Sequence, residues 1–170
     1  MRVAVFGRNP KMMLLRLALW AALCLVVFKV LFLHIRVDGI SMLPTCADRS
    51  TYWVSRIAYL RHEPQRGDVV AIRFVAPDNS IRRLEPPHIV LLKRIIGLPG
   101  ETVAFVNGHV LINGELLDEP YEKSRYNWNS APVTLGPNQY YVVGDNRSMP
   151  AGDHVHGVFE RTQIVGKALL

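Results

Sequence analysis

The sequence predicts a mainly β domain carried behind one N-terminal transmembrane helix. Three observations predict it. A long apolar run lies near the N-terminus, and no segment after it keeps a helical period. Past residue 50 the apolar residues come in short β-branched and aromatic runs bounded by turn residues. Two Asn-Gly pairs, Asn107-Gly108 and Asn113-Gly114, stand between such runs as hairpin turns do.

Composition narrows the class. At 170 residues the chain is one domain with an appended segment. Setting aside about 35 N-terminal residues leaves enough chain for one modest core. The formal net charge is +6, and Arg2, Arg8, Lys11, Arg16 and Lys29 supply much of the excess. No basic face with interleaved aromatics follows, so a nucleic-acid partner is not expected. Cys24 and Cys46 make neither a disulfide framework nor a zinc site. Cys46, close to the stretch discussed below, stays open as an alternative nucleophile.

In chain order, residues 1–11 read as a cytoplasmic tail and 12–34 as the anchor. Leu17 to Phe28 is unbroken apolar sequence, and Met12 to Leu33 would make a helix of about 30 Å, near the hydrocarbon thickness. Arg16 and Lys29 near its ends can snorkel to the headgroups. Basic residues before the run put the N-terminus inside. A cleaved signal peptide is the competing reading, but Lys29 to Arg36 offers no small-x-small site. Residues 35–170 are then an extracytoplasmic β-rich domain, and the lipid bilayer is a partner.

Within it, Tyr52-Trp53-Val54 and Ile57-Ala58-Tyr59-Leu60 are short aromatic and β-branched runs, and Gln65 to Asp68 is a turn. Val69 to Val75 and Ile89 to Ile96 are strongly apolar strands, with polar loop residues 77–80 and 85–87 between them. Gly97-Leu98-Pro99-Gly100 ends the second. Thr102–Val106, His109–Ile112 and Gln139–Val143 are strands. Residues 121–137 read as a long polar loop, and Ile164 to Leu170 as the last strand. The count is about seven or eight strands with no second helix.

Two stretches carry chemistry. Gly39-Ile40-Ser41-Met42-Leu43-Pro44-Thr45 sets a serine in a turn between glycine and proline. Lys93 sits inside an apolar strand, sharing a face with Leu91 and Ile95. A serine hydroxyl needs a proton acceptor before it attacks. A free lysine, with a pKa of about 10.4, is almost wholly charged near neutrality. Burial lowers that value by up to about 3–5 units. Ser41 as nucleophile and Lys93 as its base is therefore a coherent pair. Taken singly, each residue reads more simply: Ser41 as a turn residue and Lys93 as a snorkelling one. Trp53, Tyr52, Tyr59 and Leu43 read equally as a bilayer-facing rim or as core. His154-x-His156 lacks a third metal ligand, Arg66-Gly67-Asp68 leads into a strand as a turn, and Asp145 lacks a partner carboxylate nearby in sequence.

Ser41 and its neighbours resemble the serine box of type I signal peptidases. Lys93-Arg94-Ile95-Ile96-Gly97-Leu98-Pro99-Gly100-Glu101 resembles their lysine box, and Gly144-Asp145-Asn146-Arg147 their third signature. Arg66-Gly67-Asp68-Val69-Val70 and the Asn-Gly hairpin also match in order, so the likeness covers nearly the whole chain.

The resemblance implies a small single-anchor Ser-Lys dyad endopeptidase on the outer side of the cytoplasmic membrane. Its partners would be the signal peptides of exported preproteins, cut after small residues at −3 and −1. It implies catalytic Ser41 and Lys93, with Gly39, Met42, Asp145, Asn146, Arg147 and Ser148 supporting the site, and neither cofactor nor metal. No oligomeric state follows. A processing protease with a narrow substrate, and a membrane-anchored β-domain that binds extended peptides without cutting, remain alternatives.

Three departures matter. Where some members carry an oxyanion-hole serine this chain has Gly39, so the hole rests on backbone N–H groups, chiefly that of Ser41. Losing such a side-chain donor costs about 3 kcal/mol elsewhere. Pro150 stands where many members carry a serine that orients the lysine, leaving Ser148 as the nearest substitute, with Asp153 and His154 at the places of an aspartate and an arginine. The large extra β-domain of some relatives has no room here.

Overall fold

A computed structural model describes residues 10–75, 88–122 and 125–170. Most of the tail expected at residues 1–11, and the loop expected at 77–80 and 85–87, lie outside the described residues. One α-helix, α1 (Pro10–Leu31), precedes eleven strands and two single turns of 3-10 helix. None of the span Lys11–Leu31 is buried, and its mean hydropathy is 2.3. Over most of its length such an apolar helix has water or lipid as its neighbour, and water is the costlier of the two.

The helix ends before the expected boundary. Phe32 leaves it and opens β1 (Phe32–Arg36), which pairs antiparallel with β2 (Thr51–Ser55), Phe32 opposite Ser55 and Arg36 opposite Thr51. The apolar pattern alone runs on through Leu33. Cross-strand pairing stops the helix, a tertiary effect that local pattern does not carry. Phe28 in the last helical turns stacks on Phe32 and meets the edge of Trp53.

The larger sheet curls into a half-barrel. It adds β3 (Val69–Val75), β4 (His88–Gly97), β9 (Gln139–Val143), β10 (Gly157–Glu160) and β11 (Ile164–Leu169), in the order β1-β2-β11-β3-β4-β9-β10. The smaller sheet is β7-β6-β5-β8, from β5 (Thr102–Val106), β6 (His109–Ile112), β7 (Glu115–Leu116) and β8 (Ser130–Thr134). Among the described residues every pair of strands is antiparallel. Asn107-Gly108 and Asn113-Gly114 are the β5–β6 and β6–β7 turns, all four residues at positive φ, as tight hairpins require.

The unbroken apolar run of β3 has a direct explanation. Val69 and Ala71 pack into one cluster with Met42, Cys46, Val54 and Leu92. Val70 and Ile72 pack into another with Ile95, Tyr140 and Val142. A strand buried on both faces needs no polar alternation. A third cluster, with Phe105, Trp128 and Val143, joins the small sheet to the large one.

Three expectations are corrected. Eleven strands occur among the described residues, more than the seven or eight expected. Ile57–Leu60 is a turn rather than a strand. The segment expected as a loop at 121–137 contains β8, whose five residues are all exposed. An edge strand paired only through β5 carries no apolar signature, and it tolerates Pro132 for the same reason.

Candidate active site

β4 runs through the middle of the large sheet and carries Lys93 opposite Val70 of β3. Leu91 and Ile95 pack in the same cluster as Val70, as strand alternation predicts. The Ser41 loop, between β1 and β2, folds back onto this point. Cys46 N–H donates to the Met42 carbonyl and Leu43 N–H to that of Ile40, so the loop is tightly turned. Met42, 1% exposed, inserts beside Leu92 and Val69 and pins it. Gly39, at φ +124, makes the turn into it and donates its N–H to Asp48.

Lys93 Nζ lies 2.7 Å from Ser41 Oγ. The lysine is 2% exposed. Burial pushes its amine down from 10.5 to about 8, against an opposing pull from the Asp145 carboxylate. The contact therefore joins a hydroxyl to an amine that gives up its proton near neutral pH. Cys46 does not compete, because burial and then Asp145 push its thiol up to about 11.

Behind the pair stands a buried polar network. Asp145, 1% exposed, accepts from Arg94 Nε at 2.8 Å and Arg94 Nη2 at 2.6 Å, and from the Thr45 hydroxyl. Arg94 also donates to the Gly67 carbonyl and lies 4.0 Å over the Tyr121 ring. The Tyr121 hydroxyl donates to Glu119, which pairs with the buried Arg147. Arg147 Nε in turn donates to the Gly144 carbonyl. The network ties the strand end before Asp145 to the strand bearing Lys93. Asn146 closes the other side: its N–H donates to the Ser41 carbonyl and its Nδ2 to that of Ile40.

These contacts place each residue expected from the sequence. Ser41 and Lys93 meet, and Gly39, Met42, Asp145, Asn146 and Arg147 surround them. Ser148 is exposed and commits its hydroxyl to Asn146 Oδ1 at 2.6 Å. Asp153 is exposed in a 3-10 turn, while His154 is buried. The rim expectation divides: Tyr59 is core, its hydroxyl donating to Asp68, and Trp53 is exposed against Phe28 and His34. Asp68 also pairs with Lys167, so Arg66-Gly67-Asp68 is a structural turn. Sequence reasoning missed Thr45 and Glu119 as network members. Each lies far along the chain from the group it serves, and no local pattern marks it.

Beside Ser41 opens a cavity of about 130 Å³, lined by Ile35, Val37 and Asp38 on one side and Ile89, Val90 and Leu92 on the other. β1 is an edge strand, and β9 pairs with β4 only from Arg94 onward. Two stretches of strand edge thus face a slot that ends at Ser41.

Residues 11–170 match the profile of a family described as "Signal peptidase, peptidase S26". A signal peptidase I of Leptolyngbya laminosa is 35% identical over 131 residues, 76% of this chain and 63% of that protein. A probable signal peptidase I of Synechocystis is 33% identical, over 76% of this chain and 58% of its own length. Signal peptidase I S of Bacillus subtilis is 34% identical, over 85% and 78%. The chain thus spans about three fifths of the length of the first two relatives. A crystal structure of a signal peptidase I from Enterococcus faecalis superposes with TM-score 0.41 at 26% identity, over 62% of this chain and 96% of that one.

Proposed function

Because the chain belongs to the signal peptidase family, peptidase S26, we propose that it is a membrane-anchored serine endopeptidase that removes signal peptides from exported preproteins. The observation that carries the proposal is the 2.7 Å contact between the Ser41 hydroxyl and a buried Lys93 amine held near pKa 8. Few structural roles need a lysine kept dry beside a serine.

In this reading the preprotein lies extended in the slot between the Ile35–Asp38 segment and the free edge of β4. Its backbone pairs with one or both edges. The cavity, small and lined by aliphatic side chains together with Arg36, Asp38 and Ser41, accepts small residues at −1 and −3. Ser41 Oγ attacks the scissile carbonyl as neutral Lys93 takes its proton. The Ser41 N–H, with no side-chain donor from Gly39, receives the developing oxyanion. The Lys93 ammonium then protonates the leaving amine. The same amine next draws a proton from the water that hydrolyses the acyl-enzyme. Asp145, Asn146 and Arg147 hold the strand ends and do not react, and Ser148 supports Asn146.

α1 anchors the chain, and the basic residues before its core favour the cytoplasmic side for the N-terminus. The peptidase domain then stands on the outer face, where signal peptides emerge.

Ser41→Ala and Lys93→Ala are each expected to abolish cleavage of a preprotein while leaving the melting temperature at or above that of the parent. Cleavage at the parent rate by either variant overturns the dyad. Tight binding of a signal peptide by the parent chain without any cleavage would instead make it a peptide-binding domain.

A further inference from the structure

His154 is a buried histidine, 6% exposed, and neither ring nitrogen has a hydrogen-bond partner of normal geometry. Leaving a buried polar group so is costly, and in a native protein it calls for a reason. Its position supplies one. A Cβ added to Gly144 would fall 2.1 Å from the Ser41 carbonyl oxygen, 2.4 Å from His154 Cε1 and 2.7 Å from His154 Nε2. The nucleophile's carbonyl, the bare glycine and the imidazole edge therefore share one contact, which only glycine leaves open. The ring makes a T-shaped contact with Trp128, centroids 5.3 Å apart, and the Trp128 indole N–H is fixed on the Met149 carbonyl. The Cε1–Nε2 edge of the imidazole and the Ser41 carbonyl thus lie together against Gly144.

The groups facing His154 are all basic. Lys93 on β4 acts most strongly, with His156 before β10 and Arg147 in the turn after β9. Burial first, then Lys93, push its pKa down from 6.5 to about 4; the nearby Ser41 carbonyl opposes them. The ring is neutral over the range in which Lys93 loses its proton. A neutral imidazole carries one N–H, and Nε2 beside a carbonyl oxygen is the favoured place for it.

We propose that His154 is a positioning residue for the nucleophile, its neutral ring presenting Nε2–H to the Ser41 carbonyl and so fixing the orientation of the Ser41 hydroxyl toward Lys93. The inference rests on the Ser41–Lys93 reading above. Asn146 already donates to the same carbonyl at 3.1 Å. His154 is the second brace, eight residues further along the same connection between β9 and β10. A permanent cation there would add a charge beside the base, whereas imidazole supplies the donor without it.

The test is saturation kinetics on the full chain in detergent or bilayers, with a preprotein substrate, for His154→Phe, His154→Gln and His154→Leu. Phenylalanine keeps the ring and loses the donor; glutamine loses the ring and keeps an N–H. The phenylalanine chain is expected to lose about tenfold or more in kcat, on the scale of orientation effects, with KM within twofold. Its rate–pH midpoint should not move, because both side chains are neutral. Glutamine should recover most of the lost rate. If the phenylalanine chain does not fold, the comparison of glutamine with leucine decides in the same way. A kcat within twofold of the parent for phenylalanine or leucine overturns the proposal, as does a glutamine chain no faster than they are. Ser41→Ala and Lys93→Ala run alongside: if those still cut, the dyad itself has failed, a result distinct from a faulty brace.

Discussion

At Lys93, burial moves the amine from 10.5 to about 8, and the sign of two effects follows. In the proposed Ser41–Lys93 mechanism catalysis needs the free amine, so the rate should climb about tenfold per pH unit below 8 and level off above it. Asp145 pulls that value upward; Asp145→Asn should therefore move the midpoint to lower pH. A profile flat from pH 6 to 10, or a midpoint that rises in the asparagine variant, contradicts the reading. Stability runs the same way. Between about 8 and 10.5 the unfolded chain binds the proton that the folded chain has released, so stability rises with pH in that window. Below it the fold carries the full cost of a buried ammonium, about 3 kcal/mol at about 1.36 per unit. Lys93→Met should remove that cost, raising the melting temperature at pH 7, with the gain fading as pH approaches 10.5. A methionine variant that melts lower than the parent at pH 7 would mean that the amine is better solvated than its burial implies.

At the scale of elements, the site is made where the end of β9 meets the Ser41 loop and β4. Gly144 follows β9 directly, and its missing side chain lets the Ser41 carbonyl and His154 close in. Gly144→Ala should push the loop away. The expected result is a kcat loss of about a hundredfold and a stability loss of about 1–3 kcal/mol, read by kinetics and thermal melting. A fully active alanine variant would show that the loop approaches less closely. The strands differ in how openly the sequence announced them. β3, β5 and β9 have the bounds expected of them, since each has several buried residues in an apolar run flanked by turn signals. β8 did not, because all its residues are exposed and its only reason to be a strand is β5. Ile57–Leu60 erred the other way: it is apolar, yet Tyr59 alone of the four is buried.

For the whole molecule, the question is how a soluble-looking sheet stays with an apolar helix. α1 leads straight into β1, with Arg56 N–H donating to the Leu31 carbonyl at the junction. The large sheet does not pack on the helix for its core. A chain beginning at Phe32 should therefore keep its melting transition and move from the membrane fraction to the soluble one after carbonate extraction. Retention in the membrane would place further anchoring surface on the sheet, around Trp53. By itself the sequence determined the class, most strands, the two hairpin turns and the candidate pair Ser41 and Lys93, which the structure brings within 2.7 Å. Those rest on short-range facts: period, β-branching, left-handed glycine turns, and a lysine among aliphatic neighbours. The tertiary structure alone decided where the helix stops, that Thr45 serves Asp145 across 100 residues and Glu119 serves Arg147 across 28, and that His154 faces Ser41. The physical reason is that a polar group chooses its partner by proximity in the folded state, and burial, which sets both the cost of an unpaired group and the pKa of the amine, exists only once the sheets have closed.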